Sequence, residues 1–274
     1  MRSAAFRSRL RAASGLLVLA VVAGGLTLAA PRSAGARDEA PRGAYLAPGT
    51  YDPLKRLAGP PAPGSAADLE NRRVFLETRK LEGTPRWTLA REDDDAGKIG
   101  EAFACSVGVS TGPKSTPRLT ALLRRASQDL RPGVDRAKDH FATKRPYLSQ
   151  PGEICLMRSP LLAASPDYPS GHASWGWTVG LILAELDPAH ADAILARART
   201  FGESRVVCGV HTVTAVEGGR INAEGLVEAL KADAAFQADL AAARAELEAA
   251  RAAGPAPDKA RCEAEAALVA QRPF

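Results

Sequence analysis

Between residues 68 and 253, apolar positions recur at helical spacing between short polar or Pro/Gly breaks, and no credible strand-like alternation appears. The pattern predicts a helix from Asp68 through Leu69, Arg73, Phe75, Leu76 and Thr78, and others over Ala96–Val109 and Pro117–Leu130. After a turn at Arg131-Pro132-Gly133, another runs from about Val134 to Thr143, and Arg145-Pro146 marks its end because a proline disfavours helical backbone in the residue before it. A long loop then reaches Tyr168. A buried helix over Ser170–Leu186 closes at Asp187-Pro188, and the next runs from Ala189 to about Val207, with Gly209 breaking the pattern. Thr212–Leu230 and Phe236–Ala253 are Ala-rich and amphipathic. With no internal repeat, the expected architecture is all-α, a single helical bundle.

The ends read differently. Arg2, Arg7, Arg9 and Arg11 precede an apolar run from Gly15 to Ala30, followed by Ala34-Gly35-Ala36. This is the layout of a secretory signal with an A-x-A cleavage site over residues 1–36, which places the mature protein in the periplasm or outside the cell. The run is shorter than the roughly 20 residues a membrane span requires, and no second stretch is long enough, so no stable membrane insertion is expected after cleavage. Residues 37–66 form a Pro/Gly-rich arm, 67–253 the helical domain and 254–274 a C-terminal tail.

Charge changes meaning once the leader is set aside. The formal net charge is +5, but five of the 36 basic residues (Arg2, Arg7, Arg9, Arg11 and Arg32) lie in the leader, which has no acidic residue; 31 bases remain against 31 acids. A neutral mature chain lacks the field that draws nucleic acid, so none is expected as a partner. Cys105, Cys155, Cys208 and Cys262 are an even number in an exported chain and imply one or two disulfides, with all three full pairings open. No C-x2-C pair occurs and the four histidines are scattered, so no structural zinc site is expected.

Three short clusters carry candidate chemistry. Lys138 and Arg145 are seven residues apart, a spacing that two helical turns would bring to nearly one face, where both could address one anion. In Pro169-Ser170-Gly171-His172, Ser170 can cap the following helix and Gly171 lets backbone N–H groups approach a ligand at the helix's positive end. In Ser204-Arg205 with His211, Gly209 can end one helix and turn the chain so that Arg205 and His211 face the same anion. Two guanidiniums, an ammonium, a hydroxyl, backbone donors and two imidazoles suit a tetrahedral oxyanion stabilised without metal, and phosphoryl transfer is the natural chemistry.

K-x6-R-P, P-S-G-H and S-R-x5-H, with the stretches Gly202–His211 and Gly176–Leu186, resemble the bacterial class A non-specific acid phosphatases, of the type 2 phosphatidic acid phosphatase / vanadium haloperoxidase superfamily. The similarity runs from about Leu57 to Ala250. It implies a helical bundle of that type, hydrolysing small phosphomonoesters through a phosphohistidine, with the phosphomonoester and inorganic phosphate as ligands and no cofactor or metal. It further implies that His211 is the nucleophile, that His172 protonates the leaving alcohol and then assists water, and that Lys138, Arg145, Ser170, Gly171 and Arg205 bind phosphate; an acidic optimum follows.

One departure stands out. The family pattern continues H-x3-D, but the residue four after His211 is Ala215. Loss of an orienting carboxylate predicts reduced turnover, with Thr212, Thr214, a backbone carbonyl or water left to hold the imidazole; Glu217, six positions on, points to another helix face. Two rival functions follow: a phosphate- or phosphoester-binding homologue with impaired catalysis, and vanadate-dependent halide oxidation in the same cradle. Apolar helix faces that can pack internally or between subunits leave a homo-oligomer open.

Overall fold

A computed structural model describes residues 43–254 and 256–274, within a compact unit spanning Ala40–Phe274. The signal segment expected over residues 1–36 lies outside the described residues. The fold is all-α, with no strand among the described residues. Its helices are α1 (Ala66–Arg79), α2 (Pro85–Glu92), α3 (Ile99–Val107), α4 (Pro117–Phe141), α5 (Pro160–Ala164), α6 (Gly171–Leu186), α7 (Ala191–Val207), α8 (Val213–Lys231), α9 (Ala234–Ala253) and α10 (Lys259–Val269). Side-chain caps set many of the starts: Ser65, Thr84, Ser170, Thr212, Asp233 and Asp258 each accept an amide of the following first turn.

The centre of the bundle is α6, which packs on both α7 and α8, while α4 lies against α9. Two glycines let α6 and α7 approach closely. A Cβ at Gly176 would collide with the Phe201 ring, and one at Gly180 would sit 2.5 Å from the Ala198 Cβ. The main core gathers Phe103, Leu122, Val179, Ile182, Phe201, Leu226 and Phe236 around this pair.

Three sequence expectations are corrected here. The turn expected at Arg131-Pro132-Gly133 is continuous helix within α4. Pro132 removes the hydrogen bond to the Gln128 carbonyl at a cost of about 3 kcal/mol, but burial of Leu130 and Val134 on either side holds the segment helical. Asp129 adds to this by accepting the amides of Tyr45 and Leu46, both at 2.9 Å. The helix also stops earlier than expected, at Phe141, where Ala142 takes a left-handed conformation with φ of 48°. Residues 259–269, inside the segment read as a tail, form α10.

Two disulfides pin the periphery. Cys105–Cys262 ties α3 to α10, and Cys155–Cys208 fastens the long loop after α4 to the end of α7. No described helix is long and apolar enough to cross a membrane.

Candidate active site

The site is built on the turn that ends α7. Gly209 has φ of 79°, and a Cβ there would collide with the Arg79 guanidinium, which donates to the carbonyls of Val206 and Val207 at 3.0 and 2.6 Å. The left-handed residue sends the chain back on itself, so that the amides of Val210 and His211 both reach the Arg205 carbonyl, at 3.1 and 3.2 Å. Arg205 and His211 are thereby brought together in the interior, each 2% exposed.

The ring of His211 is held from both sides. Nδ1 lies 2.8 Å from Asp167 Oδ1, and Nε2 lies 3.1 Å from Arg145 Nη1. An ionised carboxylate only accepts and a guanidinium only donates, so Nδ1 carries the proton and Nε2 keeps its lone pair. Asp167 is itself fixed: Oδ2 accepts the Thr212 hydroxyl at 2.6 Å, Oδ1 accepts the Thr212 amide at 3.2 Å, and its own amide donates to the Thr143 carbonyl at 2.8 Å.

Sequence reasoning missed Asp167. The H-x3-D position is indeed Ala215, but the imidazole does not lack a carboxylate, and the expected absence is corrected. Ala215 is fully buried beside Leu57, Ala137 and Tyr168, and its carbonyl accepts the Ser170 amide at 2.9 Å. That bond brings the Asp167–Ser170 segment against the first turn of α8, so a carboxylate three residues before Ser170 reaches the same imidazole. The available signal was an acidic residue flanking Pro169-Ser170-Gly171-His172 in a buried loop. Glu217 is engaged instead with Arg220 on the outer face of α8, and Thr212 acts on the imidazole through Asp167.

Lys138 and Arg145 do converge, though not by helical periodicity. Because α4 ends at Phe141, Arg145 lies beyond it, directly before the short 3-10 segment Pro146–Leu148. The two cations meet at Ser165: Lys138 Nζ and Arg145 Nη2 lie 3.5 and 3.2 Å from its hydroxyl, and Arg145 Nε donates to its carbonyl at 2.8 Å. Lys138 also donates to the Pro166 carbonyl, and Arg145 Nη1 to that of Val210 at 2.8 Å.

Ser170 caps α6, its Oγ accepting the Ala173 amide at 3.3 Å, which leaves the hydroxyl proton free to donate. The Gly171 and His172 amides belong to the first helical turn and have no partner within the helix. His172 Nε2 lies 3.0 Å from the Asp94 backbone carbonyl, so that nitrogen carries the proton. Arg205 Nη2 meets the Asp94 carboxylate at 2.8 Å, while its buried Nε and Nη1 have no hydrogen-bond partner among the described residues. A cavity of about 400 Å³ opens beside these groups, bounded by Leu130, Val134, Trp175, Lys138 and His172. Among the described residues no cluster of three or more His, Cys, Asp or Glu is placed to hold a metal ion.

This crowd of cations governs proton affinities. The Arg205 charge, and then burial, bring His172 down to about 4. Burial with the Arg145, Lys138 and Arg205 charges holds His211 well below the usual imidazole range. Burial and Arg145 lower Lys138 to about 8, and burial lifts Asp167 to about 6 against the Thr212 donors. Between pH 6.5 and 4 the unfolded chain protonates both imidazoles while the folded one keeps His172 neutral until about 4, so acid favours unfolding. Asp167, Asp129 and Glu265, all raised by burial, act oppositely and gain their protons in the folded state first. The histidine contribution is isolated by comparison: in phosphate-free buffer, His172→Gln is expected to gain thermal midpoint relative to wild type as pH drops from 6.5 towards 4. A difference between the two that stays constant over that window contradicts the assignment of His172.

No family model matches the chain. An acid phosphatase of Zymomonas mobilis is 40% identical over 217 residues, covering 78% of this chain and 82% of that protein. A non-specific acid phosphatase of Providencia stuartii is 33% identical over 200 residues, 72% of this chain and 81% of the relative. One from Salmonella typhimurium is 31% identical over 194 residues, 69% and 78% of the two chains.

Proposed function

Because this chain belongs to the bacterial non-specific acid phosphatases and hydrolyses phosphomonoesters, we propose that it does so through a phosphohistidine formed on His211 Nε2. The observation that carries this reading is the fixed tautomer of His211, with Asp167 on Nδ1 and the unprotonated Nε2 facing Arg145 among three cations.

In the first step the Nε2 lone pair attacks phosphorus, the N–P bond forms and the P–O bond to the leaving alcohol breaks. The imidazolium of His172 gives its proton to that oxygen, and the alcohol departs. The phosphorylated His211 ring carries a positive charge, which the Asp167 carboxylate stabilises. In the second step water attacks phosphorus, His172 takes a proton from it, the N–P bond breaks and inorganic phosphate leaves. Lys138, Arg145 and Arg205, with the Ser170 hydroxyl and the Gly171 amide, hold the phosphoryl oxygens and stabilise the charge that grows in the transition state. The low proton affinity of His172 is suited to this order: its chief cause is the Arg205 charge, and a phosphoryl dianion on Arg205 cancels it, so His172 becomes a proton donor when substrate is bound.

The phosphate-binding reading without turnover rested on Ala215 alone, and Asp167 removes its ground. The mature enzyme works outside the cytoplasm, a placement supported by the Arg-rich apolar leader and by two disulfides that reducing compartments do not maintain.

The test is hydrolysis of an aryl phosphate by the purified mature protein in excess chelator, with inorganic phosphate as inhibitor. Full rate under chelation and competitive inhibition by phosphate are expected. Loss of activity on chelation with recovery on adding a divalent cation overturns the reading.

A further inference from the structure

Resting on the phosphate site read above, we propose that Asp94 is a built-in anion that occupies the phosphate clamp of the free enzyme and must leave before a phosphoryl group can bind. Arg205 is 2% exposed, and a buried guanidinium needs a counter-charge. Its ion pair with Asp94 at 2.8 Å supplies one. The contact falls on Nη2, the nitrogen shared by both bidentate edges of a guanidinium, the side edge with Nε and the end edge with Nη1. With Asp94 on Nη2, a phosphoryl group that takes either edge with two donors must share that nitrogen with a carboxylate of its own charge sign, and the Nη2 hydrogen already given to Asp94 is lost to it. Nε and Nη1 correspondingly stand without partners, buried. The same residue also engages the second half of the chemistry, since its backbone carbonyl holds the Nε2 proton of His172 at 3.0 Å.

The loop is built for such a displacement. Asp93 is anchored: it is 1% exposed, paired with Arg197 and accepting the Ser204 hydroxyl at 2.6 Å. Ser204 precedes Arg205, so this anchor sets Asp94 opposite the clamp. Beyond it, Asp94 has a side chain 36% exposed and open to water, and Ala96 and Gly97 line the cavity beside His172. Asp94 can therefore swing out while Asp93 holds the end of α2. Phosphate then takes the counter-charge role.

Affinity for phosphate is reduced by the fraction of molecules whose clamp is occupied, so a contact closed in nine molecules out of ten weakens binding about tenfold. The experiment is calorimetric titration of the full mature chain with inorganic phosphate, at fixed pH and ionic strength, for wild type, Asp94→Asn, Asp94→Ala, Asp95→Asn and Lys138→Gln. Both Asp94 variants are expected to bind phosphate about tenfold more tightly and to melt lower than wild type without phosphate, because Arg205 has lost its counter-charge. Asp95→Asn removes the same charge from the same loop away from the clamp, and leaves affinity within about twofold. If Asp94→Asn binds phosphate no more tightly than wild type while Lys138→Gln weakens binding, the placeholder is wrong and the site stands. Equal tightening by Asp95→Asn reduces the effect to bulk charge and also overturns it. If Lys138→Gln leaves binding unchanged, the phosphate site itself is misassigned, and this proposal falls with it.

Discussion

Replacing Asp167 with Asn is expected to lower kcat by about 10³-fold or more, on the scale of the roughly 10⁴-fold loss when the corresponding aspartate is neutralised in a Ser-His-Asp enzyme. The amide can still place an oxygen toward His211 Nδ1 and an NH2 toward the Thr212 hydroxyl, so the geometry of the network survives while its charge does not. What is lost is the stabilisation of the positive ring after Nε2 attacks phosphorus. The effect belongs to the transition state and the phosphoenzyme, so phosphate affinity should change by no more than about threefold, a split between kcat and binding that general damage to the fold does not produce. Moving the carboxylate back to its family position checks the account further. Asp167→Ala combined with Ala215→Asp is expected to recover part of the lost rate. Ala215→Asp alone should bring no gain, because it buries a second charge at a fully enclosed position whose imidazole is already served. A wild-type rate in Asp167→Asn contradicts the role assigned to this residue.

The larger loss is expected from His211→Ala. Removing the proposed nucleophile closes the proposed two-step route and leaves only what positioned cations and amides can do for direct attack by water, a residual that in another enzyme class stays about 10³–10⁴ above the uncatalysed rate. Turnover should accordingly fall below that of Asp167→Asn. Phosphate affinity is retained or improved, since His211 gives up no donor to phosphate and its removal frees Arg145 Nη1, now 3.1 Å from Nε2. The assay is steady-state hydrolysis of an aryl phosphate beside calorimetric phosphate binding; turnover within about tenfold of wild type excludes His211 as nucleophile.

Much of the fold was legible along the chain because its cues are local. Ser170 and Thr212 announce helix starts, Gly209 a reversal, and Asp187-Pro188 an end. The interruption expected at Pro132 failed for a non-local reason: burial of Leu130 and Val134 outweighs one missing hydrogen bond. The convergence of Lys138 and Arg145 was anticipated for the wrong cause, since Ser165, 20 residues beyond Arg145, draws the pair together rather than a helix face. Asp167 lies 44 residues before His211, and the link between them is the Ser170–Ala215 backbone bond, which no spacing rule encodes. Asp94 was hidden similarly within a run of three aspartates whose neighbours turn opposite ways, one into a buried ion pair and one into solvent.

The most direct test of the central claim is to quench a single turnover of wild-type protein with alkali and map the bound phosphate by mass spectrometry of the digested chain. Phosphate on His211, accumulating in Asp167→Asn if the second step is the one slowed more, and absent from His211→Ala, is the predicted result. Phosphate trapped on a different residue, or a full single turnover that leaves no phosphorylated protein at any quench time, contradicts it.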